Sequence, residues 1–199
     1  MEIYLITTPK GKNNYINDKN NDRLEYKLKH QDLDYKGRLQ AQSYYNYFHN
    51  LKINKIYTST YQTSLETSKI IFPHRKIIPD PNLDNLRLGI TKLSELPSYF
   101  LEQHFLDSNY KLPGGETRQD LTTRMLNLYH HILKDNSPSV AIITHKLNII
   151  YFLKKFCLIT YAGEVSINNT CIKSSDTPYS LFKLIIINNT ITNIEHLII

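Results

Sequence analysis

Val140-Ala141-Ile142-Ile143-Thr144 is a five-residue run without a charged side chain, and His145 follows it at once. A strand with one wet face alternates apolar and polar residues; a strand that does not alternate is covered on both faces. Helices are what cover both faces of a sheet. The run therefore predicts a central strand in an α/β three-layer sandwich with a mostly parallel sheet.

The rest of the chain alternates strand and helix as that architecture requires. Residues 2–7 read as a first buried strand. A helix fits Tyr35 to Leu51, with Leu39, Tyr44, Tyr47 and Phe48 toward the core, and Lys55 to Thr58 gives a second strand. A second helix spans Tyr61 to Phe72 and stops at Pro73; Lys76 to Ile78 is a third short strand. After Gly114-Gly115-Glu116 a long helix runs to about Lys134 on the stripe Leu121, Met125, Leu128 and Ile132. A further helix covers Leu147 to Phe156, and the tail supplies strands at Ser166–Lys173, Leu181–Ile187 and Ile191–Leu197. Two stretches stand outside the alternation. Residues 9–34 are polar and read as a long loop over a site, with closure by Lys10 to Asp32 left open. Residues 79–113 hold prolines at 79, 81, 97 and 113 and read as a lid or insertion, with one short helix near Pro97 to Phe105. All 199 residues fit one domain.

Composition narrows the function less than the fold. Lys and Arg number 24 against 18 Asp and Glu, a net charge of +6, which weakly favours anionic partners. The charge is dispersed, and the 15 tyrosines do not alternate with basic residues as a nucleic-acid platform would require, which argues against that partner. No apolar run approaches the ~20 residues that span a bilayer. Cys157 and Cys171 form neither a CxxC pair nor half of a zinc site, so a reduced cytoplasmic setting, no metal and no cofactor are the plain expectations.

Several short words, in order, resemble the histidine phosphatase superfamily of phosphoglycerate-mutase-like proteins over nearly the whole chain. Leu33-Asp34-Tyr35-Lys36-Gly37-Arg38-Leu39-Gln40-Ala41 resembles the family's L-T-x-x-G-x-x-Q-A. Ile56-Tyr57-Thr58-Ser59-Thr60 is similar to I-Y-S-S-P, with Glu66-Thr67 like the following Q-T. Leu83 through Gly89 has the spacing of L-x-E-x-x-x-G, and Pro113-Gly114-Gly115-Glu116-Thr117 is close to P-G-G-E-S, with Arg124 on the arginine of the next helix. Ile142-Ile143-Thr144-His145 resembles V-V-S-H, and Asn168-Asn169-Thr170 the late N-x-S/T segment.

The resemblance implies five side chains around one phosphoryl group. In the family's R-H-G motif an arginine grips phosphate and a histidine attacks phosphorus. A second arginine follows I-Y-S-S-P, an acid on L-x-E protonates the leaving oxygen, and a second histidine stabilises the equatorial oxygens. On this sequence those positions fall on Thr7, Thr8, Thr63, Asn85 and His145, and Pro9 and Lys146 replace the glycines. Only His145 keeps its ionisable group, and the earliest histidine in the chain is His30. A threonine hydroxyl without an adjacent base is a poor nucleophile, so the ordinary phosphatase or mutase reaction should be absent.

Two expectations follow. One is a pseudophosphatase: a non-catalytic binding or regulatory protein with a remnant anion pocket built from Thr7, Thr8, Thr63, Asn85, Lys10, Arg87, Glu116 and Lys146. The other is a retooled enzyme on a phosphorylated or carboxylated small molecule, with His145 as general acid or base. Plainer roles stand beside these: Arg87 paired with Asp84 or Glu95, Glu116 holding the first amides of its helix, and Lys10 and Lys146 solvated. Tyr44, Tyr45 and Tyr47 could form a homodimer or protein-partner surface.

Overall fold

The computed structural model describes residues 1–12, 24–160, 165–167, 170–172 and 181–199. A six-stranded sheet forms its centre, built from β1 (Glu2–Thr7), β2 (Lys55–Thr58), β3 (Ile78–Pro79), β4 (Ser139–Thr144), β8 (Leu181–Ile187) and β9 (Thr190–His196) in the order β3-β2-β4-β1-β8-β9. β1, β2, β3 and β4 run parallel; β8 and β9 add an antiparallel edge. Their hairpin turns on Asn188 and Asn189, both at positive φ (51° and 62°), as a two-residue turn with the twist of the strands demands. A small second sheet joins β5 (Leu158–Ile159), β6 (Val165–Ile167) and β7 (Thr170–Ile172). Asn168, Asn169 and Lys173 lie outside the described residues, as do residues 13–23 of the polar N-terminal stretch.

All six residues of β4 are buried. Val140 and Ile142 join Ile3 and Leu5 on one face, under the long helix α5 (Arg118–Asp135) and α6 (Lys146–Leu153). Ala141 and Ile143 join Tyr4, Ile6 and Ile56 on the other, under α2 (Tyr35–Phe48) and α3 (Gln62–Ile71). The non-alternating run is thus covered on both sides, as its composition demands.

Local differences from the sequence reading have local causes. α2 turns Gly37, Ala41, Tyr44 and Phe48 to the sheet, so Leu39, expected inside, is 54 % exposed. Gly37 decides that rotation: a side chain there would collide with the Lys10 carbonyl, so the bare backbone face is the one that packs. Tyr44 is consequently buried (2 %) and hydrogen-bonded to Gln40, which removes it from any partner surface. The polar 9–34 stretch contains a helix, α1 (Leu24–His30). Leu24 is its single buried residue, too little apolar periodicity to be legible in seven residues.

The 79–113 stretch carries single turns at Pro81–Leu83 and Leu93–Glu95 and the helix α4 (Phe100–Leu106). Its Leu83, Leu86, Phe100 and Phe105 belong to the same buried cluster as Met125 and Ile142. Gly89 joins it to the 113–116 turn. At φ 73°, a Cβ on it would collide with the Gly115 amide nitrogen and the Pro113 carbonyl oxygen, both backbone. Gly89→Ala should therefore cost about 2–3 kcal/mol of stability, from left-handed strain plus displaced backbone. A urea midpoint unchanged from wild type would refute this.

Candidate active-site region

The parallel registers bring three strand ends to one edge of the sheet. Thr7 pairs with Thr144 and Thr58 with Ile143, so Thr8, Ser59 and His145 leave β1, β2 and β4 together. Thr8 N–H donates to the Thr144 carbonyl (2.7 Å), and its hydroxyl shares a 2.6 Å hydrogen bond with Ser64. No titratable base lies in that pair. Thr63 is 4 % exposed. The backbone at Gly11 runs so close to it that a Cβ would lie 2.9 Å from the Thr63 methyl and 2.7 Å from the Gln31 carboxamide carbon. Gly11 and Gln31 therefore cover Thr63.

His145 is held through Ser59. The Ser59 hydroxyl donates to Asp84 Oδ1 (3.0 Å), and a hydroxyl has one proton to give. Its oxygen must then accept from His145 Nε2 (3.0 Å), as it accepts from the Tyr61 N–H (3.2 Å), which places the imidazole proton on Nε2. Tyr61 closes the other side, its ring edge-on at 4.8 Å from the imidazole. Burial pushes the His145 pKa down to about 3, against the pull of Asp84 and with the push of Arg124. The ring is neutral at neutral pH. Asp84 is the hub of this corner: Thr60 gives it a backbone N–H (2.7 Å) and a hydroxyl (2.8 Å), and Lys29 Nζ lies 3.8 Å away.

A cavity of about 440 Å³ opens beside this corner. Asn82, Asp84, Asn85 and Arg87 line it together with Tyr61, Glu116 and Arg124. α1 contributes Glu25, Tyr26, Lys29 and His30 to the lining, and is anchored by Leu24 N–H to the Thr91 carbonyl (3.1 Å) and Gly89 N–H to Glu25 (3.3 Å).

Glu116 does not hold helix amides as expected. The cap of α5 is a Thr117–Asp120 capping box, and Glu116, buried to 3 %, takes Arg124 Nε at 2.7 Å and its terminal nitrogen at 3.0 Å. Arg124 also donates to the carbonyls of Asn82 (2.6 Å) and Asn85 (3.2 Å), so one guanidinium ties α5 to the 82–85 backbone. Arg87 pairs with neither proposed acid: Asp84 faces Lys29, and Glu95 folds back on Thr91.

Of the residues singled out from sequence, Asn85, Arg87 and Glu116 thus meet in the cavity. Thr7, Thr8 and His145 gather at the strand ends beside it, Thr63 sits in the first turn of α3, and Lys10 and Lys146 are exposed outside its lining. Asp84, Ser59 and the α1 wall were missed. Among the described residues no group of three His, Cys, Asp or Glu side chains is placed to hold a metal, and no helix is long and apolar enough to cross a membrane.

A three-layer α/β sandwich with its polar corner at the ends of β1, β2 and β4 defines the class, and the sequence agrees. The chain belongs to the histidine phosphatase superfamily, branch 1, whose family model matches residues 17–190. Among solved structures it is similar to YhfR of Bacillus stearothermophilus (TM-score 0.70, 20 % identity, covering 96 % of this chain and 93 % of that one). A mycobacterial glucosyl-3-phosphoglycerate phosphatase (0.66, 14 %, 92 % and 90 %) and the α-ribazole phosphatase of Shigella flexneri (0.67, 12 %, 95 % and 92 %) share the same fold. No curated protein matches the chain in sequence.

Proposed function

We propose that this chain is a non-catalytic member of its superfamily, a pseudophosphatase that binds a small anion in the cavity walled by α1 and residues 82–87. The observation that carries the reading is the company Thr8 keeps. At the position the family resemblance gives to the nucleophile stands a hydroxyl whose partner is another hydroxyl, Ser64 at 2.6 Å. Nucleophilic attack on phosphorus needs a base to take the hydroxyl proton, and developing phosphoryl charge needs cations. Thr63 supplies no cation, and a neutral His145 that spends its N–H on Ser59 supplies none either. Arg87, exposed at the cavity, and Lys29 are the cations a ligand can reach.

The retooled-enzyme reading has less support. His145 is not part of the cavity lining, and with a pKa near 3 its imidazole holds no extra proton to donate at neutral pH. Two of the similar solved structures are named as phosphatases; the substitutions at Thr7, Thr8, Thr63 and Asn85 are why that activity is not carried over.

The test pairs turnover with binding. Incubated with phosphomonoesters, including glucosyl-3-phosphoglycerate and α-ribazole phosphate, the protein should release no phosphate above buffer and form no acid-labile phosphoenzyme. Phosphate or sulfate at about a hundred times its dissociation constant should stabilise the fold by roughly 2.7 kcal/mol. Arg87→Ala should remove most of that gain. Turnover would overturn the non-catalytic assignment, and absence of any anion-dependent shift would overturn the pocket.

A further inference from the structure

The cavity has an aromatic wall that a bare anion does not use. Tyr26 and His30 sit one turn apart on α1 with ring centroids 4.1 Å apart and planes 33° from parallel. Both line the cavity, and Tyr26 is 60 % exposed. His30 Nδ1 is hydrogen-bonded to the Tyr26 carbonyl at 2.8 Å, which fixes the plane of its ring. Aromatic faces held in place at the side of a polar cavity suit a planar ring laid against them.

The carboxamides that share the lining are chemically complementary to such a ring. Asn85 Oδ1 accepts its neighbour's Leu86 N–H at 2.9 Å, which leaves the Asn85 amide nitrogen to donate. The Asn82 carboxamide makes no hydrogen bond among the described residues, though its own backbone is fixed by Asp80 (2.8 Å). Carboxamides offer a donor and an acceptor side by side, the pattern that matches the edge of a nitrogen heterocycle. Arg87 has no carboxylate in salt-bridge reach among the described residues, and Lys29 touches Asp84 only at 3.8 Å. Those two cations suit a phosphate. The volume, about 440 Å³, is that of a small-molecule site and exceeds what orthophosphate fills.

We propose that the cavity takes a nucleoside monophosphate, with the base against Tyr26 and His30, its edge on Asn82 and Asn85, and the phosphate on Arg87 and Lys29. This rests on the anion-pocket reading above and adds the ring to it. Isothermal calorimetry on the full chain, with the four ribonucleoside monophosphates, ribose 5-phosphate and inorganic phosphate, separates the two layers. At least one nucleotide should bind about tenfold or more tighter than ribose 5-phosphate, the scale of one stacked base. Tyr26→Ala should bring it down to the ribose 5-phosphate level, and Tyr26→Phe, which keeps the ring, should retain it. Nucleotides no tighter than ribose 5-phosphate, or unaffected by Tyr26→Ala, would overturn the ring. In that case, binding of ribose 5-phosphate that is lost in Arg87→Ala would leave the anion pocket standing. Absence of binding by every compound would remove both.

Discussion

Replacing Glu116 with Gln should destabilise the protein by about 3–5 kcal/mol, the range for stranding one partner of a buried ion pair. The Glu116 side chain is 2 % exposed and that of Arg124 16 %. Gln keeps the shape and one acceptor, so packing is nearly conserved and the change isolates charge. A guanidinium then stays enclosed with two carbonyls and a neutral amide, a set that does not repay its lost hydration. Urea unfolding should show a lower midpoint at unchanged slope. The double variant Glu116→Gln with Arg124→Met, which also removes the stranded charge, should lose clearly less than the two single losses added together. Because Arg124 holds the Asn82 and Asn85 carbonyls, Glu116→Gln should also weaken anion binding at Arg87, which lies on that same segment. A stability change below about 1 kcal/mol would mean the pair is hydrated and the segment is held by something else.

The parts of this protein that sequence reveals are those where one local rule decides. The run from Val140 to Thr144 has no polar side to show to water, and it sits under helices on both faces. The helix at Arg118–Asp135 repeats its apolar residues over several turns, and the stripe Leu121, Met125, Leu128 and Ile132 is buried as spaced. Where two rules compete, the local signal misleads. Leu39 is apolar but lies off the face that Gly37 and Ala41 need for close approach. Glu116 precedes a helix and so suggests a cap, yet Thr117 and Asp120 cap it between them, and the largely buried Arg124 two turns along takes the carboxylate instead. The α1 wall of the cavity was illegible for a different reason. Tyr26, Lys29 and His30 become neighbours of Asn82 and Arg87 only through contacts across the chain, such as Glu25 to Gly89. Ser59 and Asp84 stood inside recognised words, but their coupling to His145 depends on strand registers that no single word encodes.

The fold should weaken markedly as pH falls from about 6.5 towards 3, with His145 the largest single histidine contribution. In the unfolded chain its imidazole titrates near 6.5; in the fold, burial pushes it to about 3. Between those values the unfolded chain holds a proton that the folded one refuses. A depressed histidine therefore contributes nothing above about pH 6.5 and destabilises progressively below it, until the folded site also charges near pH 3. Each unit is worth about 1.4 kcal/mol, so on the order of 2 kcal/mol should be lost by pH 5 and on the order of 4 by pH 3.5. His104, buried between the Tyr151 hydroxyl (3.0 Å) and the Glu116 carbonyl (3.1 Å), and His196 are depressed by burial as well and act in the same direction. His145→Gln keeps a donor for Ser59 and removes the titration, so the difference between the two proteins reports this residue alone. Urea unfolding at pH 7, 5.5 and 4 should give a shallower fall for the variant. Parallel pH profiles would mean that the imidazole charges freely in the fold, despite the edge of Tyr61 and the Ser59 hydroxyl. It would then be a cation beside Asp84 at mildly acidic pH, and the grounds for excluding it from phosphoryl chemistry would go. A steep profile for the wild type alone would instead mark a histidine kept neutral by its surroundings, whose part in this corner is to orient Ser59 on Asp84.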